Sequence, residues 1–266
     1  MDEVLDLKPK GIGEIFARAL DLYGKHWARL MAITAIVTVP ITLLQYYLFD
    51  VIRADLPGHE ELERLGIEGV PSTFWRATAA SAVLGIVSIF IYQVLVGAVA
   101  RSAAGITLGR DLGIGDAYRF GYARLWSILL VGVLVGLAVL AGFVLLVIPG
   151  FFVMTRLFAS VPTLVVEGKK GRQALRRSWS LVGGHGWRVF GVILLVGLIS
   201  GLVSSVFAIT TDQGWFTQAV AAALGGVVTG PFVALVGMLT YLDLRTRKQP
   251  LTLPDLQQEF DAAGTT

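Results

Sequence analysis

Residues 125–155, LWSILLVGVLVGLAVLAGFVLLVIPGFFVMT, run from Arg124 to Arg156 without a charge. A helix crosses the hydrocarbon layer in about 20 apolar residues, so this run is too long for one span. It contains the turn dipeptide Pro149-Gly150. The stretch therefore reads as a tight hairpin of two spans, the second interrupted by Arg156. Apolar residues fill it without the alternation that a lipid-facing barrel strand requires, so the spanning form is helical.

Working outward, five further stretches complete a set of six spans at about 29–49, 76–101, 125–148, 151–167, 188–210 and 217–242. The composition agrees. The chain is 55% hydrophobic and 15% charged, whereas a soluble domain carries about 25% charged residues. Mean hydropathy is +0.72. No secretory signal is visible in the first 26 residues, which hold Asp2, Glu3, Asp6, Lys8, Lys10 and Glu14. With no cysteine, disulfides and thiolate chemistry are excluded.

Charge placement orients the spans. Six spans put Lys8, Lys10, Arg18, Lys25 and Arg29, then Arg101, Arg110, Arg119 and Arg124, on one side. Lys169, Lys170, Arg172, Arg176, Arg177 and Arg188, and finally Arg245, Arg247 and Lys248, fall on that side too. Only Arg53, Arg64 and Arg76 fall opposite, beside an acidic loop with Asp50, Asp55, Glu60, Glu61, Glu63 and Glu68. Both termini are expected in the cytoplasm. Trp27, Trp75, Trp126, Trp179, Trp187 and Trp215 flank the spans and are expected to anchor them at the headgroup level.

A pattern precedes each odd-numbered span. Ile12, Ile15, Phe16, Ala19, Leu20 and Tyr23 form one apolar helical face, followed by Trp27. Ile114, Ala117, Tyr118, Gly121, Tyr122 and Leu125 repeat it before Trp126. Leu175, Ser178, Trp179 and Val182 form a rougher version before Trp187. The expected fold is an all-α polytopic membrane bundle: six transmembrane helices plus three cytoplasmic-side interfacial amphipathic helices, in three helix-plus-hairpin repeats at about 11–108, 109–168 and 169–248; the alternative for the three amphipathic helices is that they pack on one another under the bundle. Residues 1–250 form a single membrane domain, and 251–266 a loosely ordered cytoplasmic tail with a short helix at 254–261. The glycine pairs Gly132/Gly136, Gly197/Gly201 and Gly226/Gly230 suit close helix packing. Pro40, Pro162 and Pro231 are expected to kink spans.

Catalytic chemistry finds no foothold. His26 and His185 sit beside tryptophans, and His59 lies in the acidic loop without a second histidine at helical spacing. Gly11-Ile12-Gly13 and Gly113-Ile114-Gly115 lack the strand–turn–helix context of a nucleotide loop. No pair of carboxylates falls within the spans. No cofactor and no metal is implied. Arg156 is the one intramembrane charge. It either snorkels to the outer headgroups or takes an anionic headgroup or substrate from the bundle interior. Gln45 and Gln93 are expected to hydrogen-bond between helices. Lys169, Lys170, Arg172, Arg176 and Arg177 form a basic cluster suited to anionic lipid, with nothing beside it that reads nucleic acid. The partners implied are membrane lipids, with a membrane-protein partner or a second copy of the chain left open.

Ordered motifs carry a resemblance. Gly11-Ile12-Gly13-Glu14-Ile15 opens the chain. Ile148-Pro149-Gly150, Pro162 and Val165-Val166-Glu167 follow. Next come Ala174-Leu175-Arg176-Arg177-Ser178-Trp179 and Trp187-Arg188, and Tyr241-Leu242-Asp243-Leu244-Arg245-Thr246-Arg247 closes the last span. Over about residues 5–250 the chain resembles the bacterial membrane domain found attached to some glycerophosphoryl diester phosphodiesterases and also occurring alone. In fused members a separate soluble domain performs the hydrolysis. The resemblance therefore implies a stand-alone, non-enzymatic domain of the bacterial plasma (inner) membrane, and by analogy a role in lipid or envelope homeostasis. The alternative reading is a transporter or permease subunit for an apolar or lipid-like solute.

Overall fold

The computed structural model describes residues 9–54, 72–110, 112–208 and 214–265, and every regular element among them is a helix. These are α1 (Ile12–Ala54), α2 (Ser72–Thr107), α3 (Ile114–Ala123), α4 (Leu125–Leu145) and α5 (Val147–Leu157). They continue with α6 (Ser160–Glu167), α7 (Arg172–Val182), α8 (Gly186–Ala208), α9 (Trp215–Lys248) and α10 (Leu253–Thr265). Six segments among the described residues are long and apolar enough to cross a membrane: Ile12–Val51, Thr78–Thr107, Leu125–Leu145, Val147–Glu167, Gly186–Phe207 and Trp215–Lys248. The chain is a multi-pass membrane protein. The acidic loop with His59 and Arg64 lies outside the described residues.

Helix α9 is axial and packs against α1, α2, α6, α7 and α8. Its C-terminal half buries Leu235, Val236, Met238, Leu239, Tyr241, Leu242 and Leu244. The outward faces of α4 and α8 remain apolar and exposed, at Leu137, Leu140 and Val144, and at Leu198, Leu202 and Val206. In water such faces would be unstable; in lipid they are matched.

The hairpin of residues 125–167 forms, with a different turn. Helix α4 stops at Leu146, whose backbone is extended (φ −170, ψ 158). Pro149 then falls in the first turn of α5, where its missing N–H has no intrahelical partner to lose. A Cβ on Gly142 would stand 2.9 Å from Gly150 Cα, so the two glycines allow the hairpin to close. The fourth spanning segment is broken at Phe158–Ala159, just ahead of Pro162.

Protein covers much of the apolar face of each of the three amphipathic helices. Ile15, Ala19 and Leu22 of α1 pack with Val192 of α8 and Leu235 and Leu239 of α9. Along α3, Ala117 packs with Ile33, Leu95 and Ala98. Ala174 and Leu181 of α7 join a core with Leu164 of α6 and Tyr241 of α9. The periodicity marked which face is apolar; the tertiary structure decided what covers it. At the edges of these faces Leu20, Tyr122 and Trp179 stay exposed. Each amphipathic helix breaks just before its tryptophan. His26 (φ −123, ψ 15) interrupts α1 before Trp27. Arg124 (φ −105, ψ 9) separates α3 from α4 before Trp126. Gly184 (φ 82) lies between α7 and α8 before Trp187.

The tail after Pro250, expected to be loosely ordered with a short helix at 254–261, forms the longer helix α10, docked through buried Leu256, Phe260 and Ala263. Thr252 Oγ1 donates to the Asp255 carboxylate and accepts from the Asp255 N–H, a side-chain N-cap that starts the helix. The guanidiniums of Arg101 and Arg124 donate to Phe260 O (2.8 Å) and Ala263 O (2.7 Å) near its C-terminal end, where cations are favoured.

Small residues do not act alike. A Cβ on Gly97 would lie 2.8 Å from Gly121 Cα, so α2 and α3 touch backbone to backbone. Of the expected pairs, Gly226 and Gly230 stand against Thr38 and Thr34 of α1, and Gly132 stands against Gln93. A Cβ on Gly136, Gly197 or Gly201 would meet nothing within 4 Å. Gly121→Ala should therefore lower the melting temperature in mild detergent by the equivalent of about 1–3 kcal/mol. Gly136→Ala should leave it unchanged or raise it slightly. Equal shifts for the two variants would contradict the close α2–α3 approach.

Candidate functional site

Two buried carboxylates organise one end of the bundle. Glu167, at the C-terminus of α6, has a side chain only 6% exposed. It accepts from Arg177 Nε at 3.0 Å, from Tyr241 Oη at 2.9 Å and from Lys169 Nζ at 2.7 Å. Arg245 lies 3.8 Å away and forks onto Glu259 of α10 at 2.6 and 2.9 Å. Gly168 ends α6 in the left-handed region (φ 66), which turns the chain so that Lys169 folds back on Glu167. Asp243 of α9 is the second centre. It accepts from Arg188 Nε and Arg247 Nε, both at 3.0 Å, and from the backbone N–H of Lys10 at 2.8 Å. The Lys10 carbonyl in turn accepts from Arg188 and Arg247.

This arrangement divides the expected basic cluster. Lys169 and Arg177 face inward onto Glu167. Lys170, Arg172 and Arg176 are exposed, and Arg172 and Arg176 border a shallow surface pocket with Leu175. Those three remain open to solvent or headgroups. Desolvation lowers the Arg124 pKa and raises that of Tyr118, in each case favouring the neutral form.

A second feature is a central cavity of about 500 Å³ between α1, α2, α6 and α9. Its walls are apolar apart from Thr34, Thr38, Thr42 and Tyr92, and Phe158 and Pro162 border it at the break between α5 and α6. Thr34 Oγ1 is already committed to Leu30 O at 3.0 Å. The volume falls within the ~300–1,000 Å³ of small-molecule sites. Gln45 Nε2 donates to Ser88 Oγ at 2.8 Å, the interhelical bond expected of it.

Arg156 faces neither the outer surface nor the central cavity. Its guanidinium stacks over Phe152 (4.9 Å) and Trp179 (5.4 Å). It lies in the wall of a third space, also about 500 Å³, between α5 and the start of α8. The adjoining Gly183 is also close to Lys248, so Arg156 sits at the end of the bundle that carries the α9 C-terminus. Snorkelling toward the opposite surface is therefore overturned. The α5 helix approaches Phe190 near the start of α8, which brings Arg156 to this end.

Trp27, Trp75, Trp126, Trp179 and Trp187 are exposed; Trp215 is half-buried against Tyr47 at 5.3 Å. Among the described residues no three His, Asp or Glu side chains converge as metal ligands would. Sequence reasoning missed Glu167 and Asp243 as structural centres. The available signal was that each stands alone at a span's end among several arginines.

Because Arg245 is 4% exposed and forks onto Glu259, itself 41% exposed, while Glu167 keeps Lys169 and Arg177, Arg245→Met should cost about 1–3 kcal/mol, as losing a buried hydrogen-bond donor does. It should also speed limited proteolysis within 251–266. A variant with wild-type melting and wild-type cleavage would show that α10 docks without this pair.

No curated protein and no solved structure matches the chain. Residues 130–227, from within α4 through α8 into α9, match the family described as the membrane domain of glycerophosphoryl diester phosphodiesterase, the family that the ordered motifs resemble.

Proposed function

We propose that this chain is a non-enzymatic protein of the bacterial inner membrane that binds lipid and serves envelope homeostasis, with both termini in the cytoplasm. The observation that carries the reading is the central cavity. It is apolar, opens between spanning helices, and has a few hydroxyls but no acid, base or ion along its walls. Such a space suits an acyl chain better than a hydrophilic substrate. The family match covers a membrane domain and not a hydrolytic one. Exposed Lys170, Arg172 and Arg176 would hold the basic end against anionic headgroups, each contributing about 1 kcal/mol. Membrane lipids are the partners in this reading.

The broken fourth segment favours a second reading, passage of an apolar or lipid-like solute. Phe158 and Pro162 line the cavity where the helix is interrupted, and interrupted helices at a cavity are common in transporters.

Two measurements test the proposal. Native mass spectrometry of the protein released from mild detergent should show retained lipid. Ala222→Phe with Val233→Phe, two residues of the cavity wall, should reduce it several-fold. Lipid retention unaltered by filling the cavity would refute this site. For orientation, the chain has no cysteine of its own. A single cysteine at Glu61 should react with an impermeant maleimide on intact cells, and one at Lys170 only after permeabilisation. The reverse pattern would invert the topology.

A further inference from the structure

Arg156 differs from the other buried or half-buried arginines of this end. Arg101, Arg177, Arg188, Arg245 and Arg247 each donate to a carbonyl or a carboxylate. Among the described residues the Arg156 side chain has no hydrogen bond and no ion pair, and its Nε is buried without a partner. Stacking on Phe152 and Trp179 offsets part of the desolvation. It supplies no acceptor for a group with five N–H donors. A cation held this way is incomplete.

The space it borders is built for an amphipathic anion. Among the described residues Arg156 is its only charged wall residue. Ile148 (82% exposed), Trp187 (88% exposed), Phe151 and Phe190 provide an aromatic and aliphatic surface continuous with the outside of α5 and α8. Gly184 and Gly186 also line it, so main chain stands where side chains would otherwise intrude. Helix α8 begins at Gly186. Its first-turn N–H groups have no intrahelical acceptor and carry the positive end of the helix dipole. A guanidinium, a helix start and an adjoining apolar wall match a phosphate ester attached to hydrocarbon chains.

We infer that the space between α5 and the start of α8 is a phospholipid site, in which Arg156 binds the headgroup phosphate and Ile148, Phe151, Trp187 and Phe190 receive the glycerol and upper acyl chains. The assignment rests on the lipid-binding reading above but places the headgroup at a different cavity.

The test uses the full-length protein in mild detergent with three probes: phosphatidylglycerol, diacylglycerol of the same chains, and inorganic phosphate. Native mass spectrometry should show phosphatidylglycerol retained by the wild type. Arg156→Gln should bind it at least about tenfold more weakly, and Trp187→Ala several-fold more weakly. Diacylglycerol should not be held at this site. If Arg156→Gln does not yield folded protein, Trp187→Ala, at a surface position, still decides. Retention unchanged by Trp187→Ala, diacylglycerol bound as well as phosphatidylglycerol, or displacement of the lipid by millimolar inorganic phosphate would each overturn the assignment. Loss of lipid on filling the central cavity, with none from Arg156→Gln, would remove this site while leaving the broader lipid reading intact.

Discussion

Burial of Glu167 and Asp243 forces the chain to bring its scattered cations to one end of the bundle. Neither carboxylate can stay charged out of water unless it is paired and hydrogen-bonded. Glu167 takes Lys169 and Arg177, with Arg245 close by. Asp243 takes Arg188 and Arg247 and is capped by the Lys10 N–H. These partners come from the N-terminal segment, the α6–α7 loop and helices α7, α8 and α9. Satisfying two carboxylates therefore fixes which helix ends meet, and α10 docks on the result through Glu259. Ion pairs of this kind add little net stability over an apolar core. Their consequence here is geometric.

The same economy explains why Arg156 stands out. Arg101, Arg177, Arg188, Arg245 and Arg247 all donate to carbonyls or carboxylates, whereas the half-buried Arg156 guanidinium faces a half-open space lined by aromatic rings. The central cavity is the complementary case, with the Thr34 hydroxyl committed to Leu30 O, no charged side chain among its described walls, and an otherwise mostly apolar lining. One space presents a cation beside aromatic rings, the other a few hydroxyls in an otherwise apolar volume.

The amphipathic helices show how one pattern admits two solutions. An apolar face on a charged helix is satisfied by lipid or by another helix. Residues 12–25, 114–123 and 172–182 take the second course in most of their length, because α8, α9, α2 and α6 offer matching faces. The break before each tryptophan lets the chain turn from this packed helix into a spanning one.

The sequence by itself determined the solvent, the spanning helices and the apolar faces. Those follow from the local density and period of apolar residues, which any twenty-residue window reveals. It also located the hairpin of residues 125–167, though it placed the turn at Pro149-Gly150 rather than at Leu146, because proline can begin a helix as well as end one. A short helix in the tail was legible at 254–261, and the structure extends it to Leu253–Thr265; the polarity of the segment gave no sign that Leu256, Phe260 and Ala263 would dock. What only the tertiary structure decided are the pairings over long separations: Lys10 with Asp243, Arg101 with Phe260, Glu167 with Tyr241. It also decided the end of the bundle at which Arg156 lies. Periodicity says which side of a helix is apolar, but a charge finds its partner through the crossing of helices far apart in the chain, and no local window contains that information.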